Sequence, residues 1–346
     1  MKKLLFIITC VITVSCLPFE RQEDIYNLSG GVIIVNEGTF NAGNGSLSFY
    51  SYDSSKVFND LFYSTNGRPL GDVPNSVNVF NGRAYIVVNN SGKIEVVDPS
   101  TFRSKGTISN LTSPRNIAFV RTNKAYVTSL WSDSVTIVDP ENFSVSGYIN
   151  IGKSSESILI VGNKAFISNW MGGNEIIVIN TLTDEVIGSI EVGAEPESMT
   201  IDRNLRLWVL CTGGYQKLQN AELDVIDINS LSVIKKFVFP SSTNSPSCLR
   251  IDGSLQTLYY IDNGIMKMDI AAESLPVAPF IPQNNETFYK LAINPVNNFV
   301  LVTDATNFVT NGFLRIYDER GFFVSCDETG VTPGEMSFVI DVTYYK

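Results

Sequence analysis

The stretch that decides the fold is Ile176-Ile177-Val178-Ile179-Asn180. Four β-branched apolar residues end on a side chain able to accept a backbone N–H at the turn that follows. The phrase returns as Ile94-Glu95-Val96-Val97-Asp98, as Val135-Thr136-Ile137-Val138-Asp139, and from Leu223 to Asp227, Ile265 to Asp269 and Leu314 to Asp318. Leu47 to Ser51 is a weaker first copy. Counted from Asp98, the terminal residues follow at intervals of 41, 41, 47, 42 and 49 residues. A recurrence of that length marks a repeat architecture.

Each copy has the same surroundings. Before it lies an aromatic-bearing strand: Ala84-Tyr85-Ile86-Val87, Ala125-Tyr126-Val127, Ala165-Phe166-Ile167 or Leu207-Trp208-Val209. After it come strands such as Val186 to Val192 and Val233 to Phe239. Units open at Pro74, Pro114, Ser155, Pro196, Pro246, Phe288 and Pro333. Proline suits a strand's first position, where its missing N–H breaks no ladder bond. Four short antiparallel strands recurring about every 40–50 residues predict a β-propeller. Six complete units run from Pro74 to Thr332, and Val32 begins on a second strand with no first. Pro333 to Val339 reads as the missing first strand. The expected fold is therefore all-β: a seven-bladed propeller of four-stranded antiparallel blades, its ring closed by the C-terminal strand joining blade one. Residues 31–346 form one domain on this reading. Trp208, Tyr85, Tyr126 and Phe166 lie inside strands and are expected in the core.

The beginning of the chain has another character. Lys2 and Lys3 precede an apolar run from Leu4 to Val14, the pattern of a signal peptide over residues 1–15. Thr13-Val14-Ser15 sets small residues before Cys16, so Cys16 is the expected lipidation site, with residues 16–30 as a flexible tether. An ordinary signal peptide cut nearby is the alternative. No later stretch is long and apolar enough to span a bilayer.

Composition narrows the function. The 346 residues carry a formal net charge of −10, against clustered basic contacts to phosphate backbones, so nucleic acid is not an expected partner. Histidine is absent, which removes the commonest general base and metal ligand. Cys211, Cys248 and Cys326 are far apart, with no metal-binding spacing. No metal site, cofactor or catalytic residue is expected.

The loops between second and third strands vary most. They are short at Asn89 to Lys93 and Asp262 to Gly264, and long at Asn36 to Ser46, Thr212 to Glu222 and Thr303 to Phe313. Repeat proteins place such insertions on a binding face. These loops hold Phe40, Trp131, Trp170, Met171, Tyr215 and Phe308, with Asn36, Glu37, Asn89, Asn90, Asn169, Asn263 and Asp304 among or beside them. Rings give contact area at low entropic cost, and amides give hydrogen bonds in both directions. Arg115, Glu156, Glu197, Tyr289 and Lys290 open the first strands and are expected at the floor of the same site. The alternative is that the rings only cap the blades and plug the channel.

The run from Glu175 to Ser198, with its Val-Ile-Asn strand and Val192-Gly193 followed by Pro196-Glu197-Ser198, resembles the YncE-like propeller repeat. Together with the lipoprotein-like start, the chain also resembles Bacteroidetes surface lipoproteins that capture cobalamin. That resemblance implies a lipid-anchored, cell-surface position on the outer membrane and a TonB-dependent outer-membrane transporter as partner. It also implies cobalamin as cargo, not cofactor, over the loop face at Phe40, Trp131, Trp170, Tyr215 and Phe308. A protein–protein interaction platform is the alternative. A lactonase-like enzyme with Glu37, Glu156, Glu197 and Asp304 around a metal is a third, less favoured reading.

Overall fold

Seven four-stranded antiparallel sheets follow one another along the chain. The computed structural model describes residues 30–339. The signal segment, Cys16, the tether as far as residue 29, and residues 340–346 lie outside the described residues. Blade one pairs Gly31–Asn36 with Ser46–Ser51 on one side and with Pro333–Val339 on the other. The last described strand therefore supplies the innermost strand of the first blade, as the repeat count predicts. Blades two to seven are continuous in sequence.

Burial peaks at the second strand of each blade: inner strands such as Ile158–Val161 are only half-buried where they border the channel. Second strands such as Gly31–Asn36 and Lys124–Ser129 are buried along their whole length, because neighbouring blades cover both of their faces. Outer strands such as Ser144–Asn150 and Ser232–Val238 alternate between exposed and covered residues. Seven apolar clusters result, one at each blade–blade contact. Trp208 belongs to the cluster between blades five and six, and its indole N–H donates to Asp202 Oδ2 at 2.9 Å. Tyr85, Tyr126 and Phe166 are buried as expected.

The repeated Asp and Asn also act as expected. Oδ1 of Asp98 accepts the N–H groups of Ser100 and Thr101, and Asp139, Asp227 and Asp318 cap their turns in the same way. A second recurrent device stands where the inner strands begin. Val73, Ser113, Glu195 and Thr332, each just before a proline, have φ of 53°, 40°, 53° and 51°. Their carbonyls accept N–H groups from Asn89, Leu130, Thr212 and Glu37, where the second strands end. The left-handed conformation, unfavourable for β-branched Val and Thr, is thus held by one hydrogen bond per blade.

Three details differ from the sequence reading. The inner strand of blade four begins at Ile158 rather than Ser155. A short helix, Leu61–Asn66, lies between blades one and two, its Leu61 and Phe62 buried against Phe49 and Phe102. The outer strand of blade six is only Ile281–Pro282.

Candidate functional site

The antiparallel order places every connection between second and third strands on one face, together with the start of each inner strand. This is the loop face. Phe40 is 68% exposed, Trp131 66%, Tyr215 91%, Met171 40% and Phe308 45%. Trp170 is half-buried. Five large side chains on one face are thus exposed, Phe40, Trp131 and Tyr215 by more than half.

The loops beneath them are held firmly. Both carboxylate oxygens of Asp72 accept backbone N–H groups from the blade-one loop, of Asn41 at 3.0 Å and Gly43 at 3.2 Å. Asn90 donates to the same carboxylate and to Asn41 Oδ1, joining blade two to blade one. In the long loop of blade five, Gly213 and Gly214 have positive φ, and Lys217 Nζ reaches the carbonyls of Thr212 and Asn244. That support leaves Tyr215 standing free at the tip. In blade four a Cβ on Gly173 would lie 1.7 Å from Asn169 Oδ1, so only glycine lets the Trp170–Met171 loop close.

Several expected polar contacts are consumed by the fold instead. Asn36 is fully buried, bonded to Ser46 and Ser48. Asn89 donates to Ser113 Oγ and Pro114 O, and Asn169 to Ser154. Asp304 is buried against Arg315 and accepts the Thr287 N–H. Because loop ends carry unpaired backbone groups, amides near them pair inward before they are free for a ligand. Asn263 is exposed, but it lines a cleft between blades five and six, away from the axis.

At the axis the inner strands converge. β-bulges at the second residue of most of them, as between Pro74 and Ser76, Pro196 and Ser198, and Phe288 and Lys290, interrupt the ladder where side chains turn into the channel. A polar cavity of ≈ 280 Å³ lies there, with Glu156, Glu197, Arg250, Lys290 and Glu335 among its walls. Arg115 and Glu156 form a bidentate pair at 2.7 and 2.8 Å. Arg250 holds Glu335 at 2.6 Å, and Lys290 lies 3.9 Å from Glu197 and 4.0 Å from Glu335. Glu197 also accepts the Cys248 N–H at 3.0 Å. The channel is thus spanned by ion pairs. Arg250 and Glu335 were not singled out from the sequence; the signal was their place shortly after a blade opening, where Glu156 and Glu197 also stand.

Glu37 differs from these paired groups. It accepts the Tyr289 hydroxyl at 2.9 Å, and among the described residues no cation lies within ion-pair distance of it. Burial pushes its carboxyl above the usual range, against the opposing pull of Lys290 and of the Tyr289 hydrogen bond. The Phe308 ring packs edge-on against Tyr289, with centroids 5.3 Å apart. Glu37, Tyr289 and Phe308 are thus linked contact by contact on the loop face. The arrangement offers a polar centre with an acceptor and a phenol, surrounded by exposed rings. Among the described residues, no group of three or more His, Cys, Asp or Glu side chains is placed to hold a metal ion. Cys211 and Cys248 are buried, with thiols raised by burial, and Cys326 is exposed.

Residues 30–321 match the family model described as "Domain of unknown function (DUF5074)". The chain belongs to the DUF5074 family. No curated protein matches it. Among solved structures it is similar to a quinonprotein alcohol dehydrogenase-like protein from Bacteroides thetaiotaomicron, with TM-score 0.69, 15% identity, and 90% of this chain and 78% of that one covered. It is similar to the hydrazine synthase of Kuenenia stuttgartiensis, with TM-score 0.66, 18% identity, and coverage of 76% and 88%. It is also similar to the computationally designed protein Ika8, with TM-score 0.60, 12% identity, and coverage of 92% and 94%. At these identities the likeness is one of fold. An enzyme and a design share it, so the fold carries no activity with it.

Proposed function

We propose that this DUF5074 propeller is a binding protein rather than an enzyme, and that its loop face covers a bulky, partly apolar ligand. One observation carries the reading: Phe40, Trp131, Met171, Tyr215 and Phe308 stand exposed together on the connections of a single face. Large rings grouped on one face of a soluble domain are costly unless something covers them. The ion-paired channel below favours a ligand that lies across the mouth over one that threads the axis. Glu37, whose carboxylate takes a hydrogen bond from Tyr289, is the acceptor at the centre.

A corrinoid such as cobalamin is the ligand we put first, with its wide apolar ring and amide arms. With no histidine in the chain, recognition rests on shape and hydrogen bonds, not on an imidazole bound to cobalt. Lipid attachment at Cys16 to the outer membrane, on the cell surface, and hand-over to a TonB-dependent transporter complete the proposal. Calorimetric titration with cyanocobalamin tests it. The expected result is one site, weakened about tenfold or more by Trp131→Ala or Tyr215→Ala, as for a central ring contact. No heat at micromolar concentrations removes the corrinoid. A second reading, a platform for another protein, is favoured by Leu218, 81% exposed beside Tyr215. Capture of a barrel partner whether or not the vitamin is present would select it.

A further inference from the structure

Blade six departs from its neighbours in a way the loop face does not explain. Its outer strand Ile281–Pro282 pairs only with Gly264 and Ile265. In blade five the corresponding strand, Ser232–Val238, has seven residues and pairs along its length. Beyond Ile265, the third strand Gly264–Asp269 has no fourth strand beside it. The chain swings outward instead, through a segment holding Pro276 and Pro279, which have no N–H for a ladder, and a fully exposed Val277.

The missing strand leaves a cavity of ≈ 680 Å³ between blades five and six, a volume in the range of small-molecule sites. Phe239, Met266 and Leu275 are among its apolar walls. Tyr260 also lines it. This side chain is fully buried, its ring set edge-on to Phe239 at 5.8 Å, and its hydroxyl has no hydrogen-bond partner. Native folds rarely leave a buried hydroxyl unpaired. Nearby Asp262 is already engaged, by Asn244 Nδ2 at 2.8 Å and the Ser245 N–H. The ammonium on this wall, Lys236, is held by Glu222 at 2.9 Å, so no free cation awaits an anion.

We propose that this cavity binds a neutral, largely apolar small molecule whose oxygen accepts a hydrogen bond from Tyr260. The volume sets the size, the walls set the apolar body, the unpaired phenol sets the acceptor, and the paired charges exclude a formal charge. This site is separate from the loop-face rim and does not rest on that reading.

Nile red, neutral and bearing one carbonyl acceptor, is the probe. The purified protein is expected to bind it saturably, one per chain, with blue-shifted emission. Tyr260→Phe should weaken binding about fivefold to tenfold, the effect of one lost hydrogen bond. It should leave the melting temperature unchanged or raised, because no partner loses its bond. Val238→Trp, at an exposed position on the wall, should abolish binding in a folded protein. Trp131→Ala should leave Nile red binding unchanged, which separates this site from the loop face. No saturable binding by the unaltered protein, or equal affinity in Tyr260→Phe, overturns the proposal. So does a melting temperature lowered by several degrees in Tyr260→Phe, which would assign the hydroxyl to a structural water.

Discussion

Asp224 provides a direct test of the packing between blades. It lies in the third strand of blade five and is fully buried. Its Oδ2 accepts the Gly193 N–H at 2.9 Å and lies 3.7 Å from Lys236 Nζ, while Oδ1 has no partner. Burial, the largest effect, pushes the carboxyl from 3.8 up to about 6, against the Gly193 hydrogen bond and Lys236. Between those values the folded chain keeps a proton that the unfolded chain has released. Stability from this group therefore falls as pH rises through that window and is level above it. A rise of about two units corresponds to about 3 kcal/mol, of which about 2 kcal/mol is lost between pH 4.5 and 7.5. Asp224→Asn keeps an acceptor for Gly193 and does not titrate. Urea unfolding of both proteins across that range should show the difference moving by about 2 kcal/mol in favour of the variant at high pH. Two parallel stability curves would refute the account.

Two further outcomes follow from the closed ring. Glu335→Gln should cost about 1–3 kcal/mol at neutral pH, because Arg250 loses its charged partner at a site still partly open to solvent. Although burial raises the Glu335 carboxyl, Arg250 and Lys290 outweigh it and hold the group below its usual 4.5. The gap should therefore narrow as pH falls below that value, in melts followed by circular dichroism. A chain truncated after Thr332 should lose cooperative unfolding altogether, since Gly31–Asn36 becomes an open edge and Arg250 loses its partner; urea melts and gel filtration report this.

The architecture was readable because a propeller writes its period into strands that must each be buried on the same side of the same neighbours. The terminal Asp of each third strand was readable for a local reason, a turn that needs an acceptor. What escaped is what depends on distant partners. Asn36, Asn89 and Asn169 have the composition of ligand contacts, yet each is spent on backbone or hydroxyl groups elsewhere in the fold, Asn36 on Ser48 and the Gly330 N–H, Asn89 on Pro114 and Asn169 on Ser154. Asp72 gave no signal, because its role as the joint between two loops appears only when Asn41, Gly43 and Asn90 surround it. The cavity beside Tyr260 was equally silent. It arises from a strand that fails to form, and proline spacing in residues 276–279 was its only trace.

The way the ring shuts has a directional consequence. Gly31 faces Val339 across the first blade, at the end of the strands remote from the aromatic loops. Whatever precedes residue 30 thus joins the molecule from behind, like a stem beneath a bowl. The point of attachment therefore lies off the mouth, on the face opposite the aromatic loops.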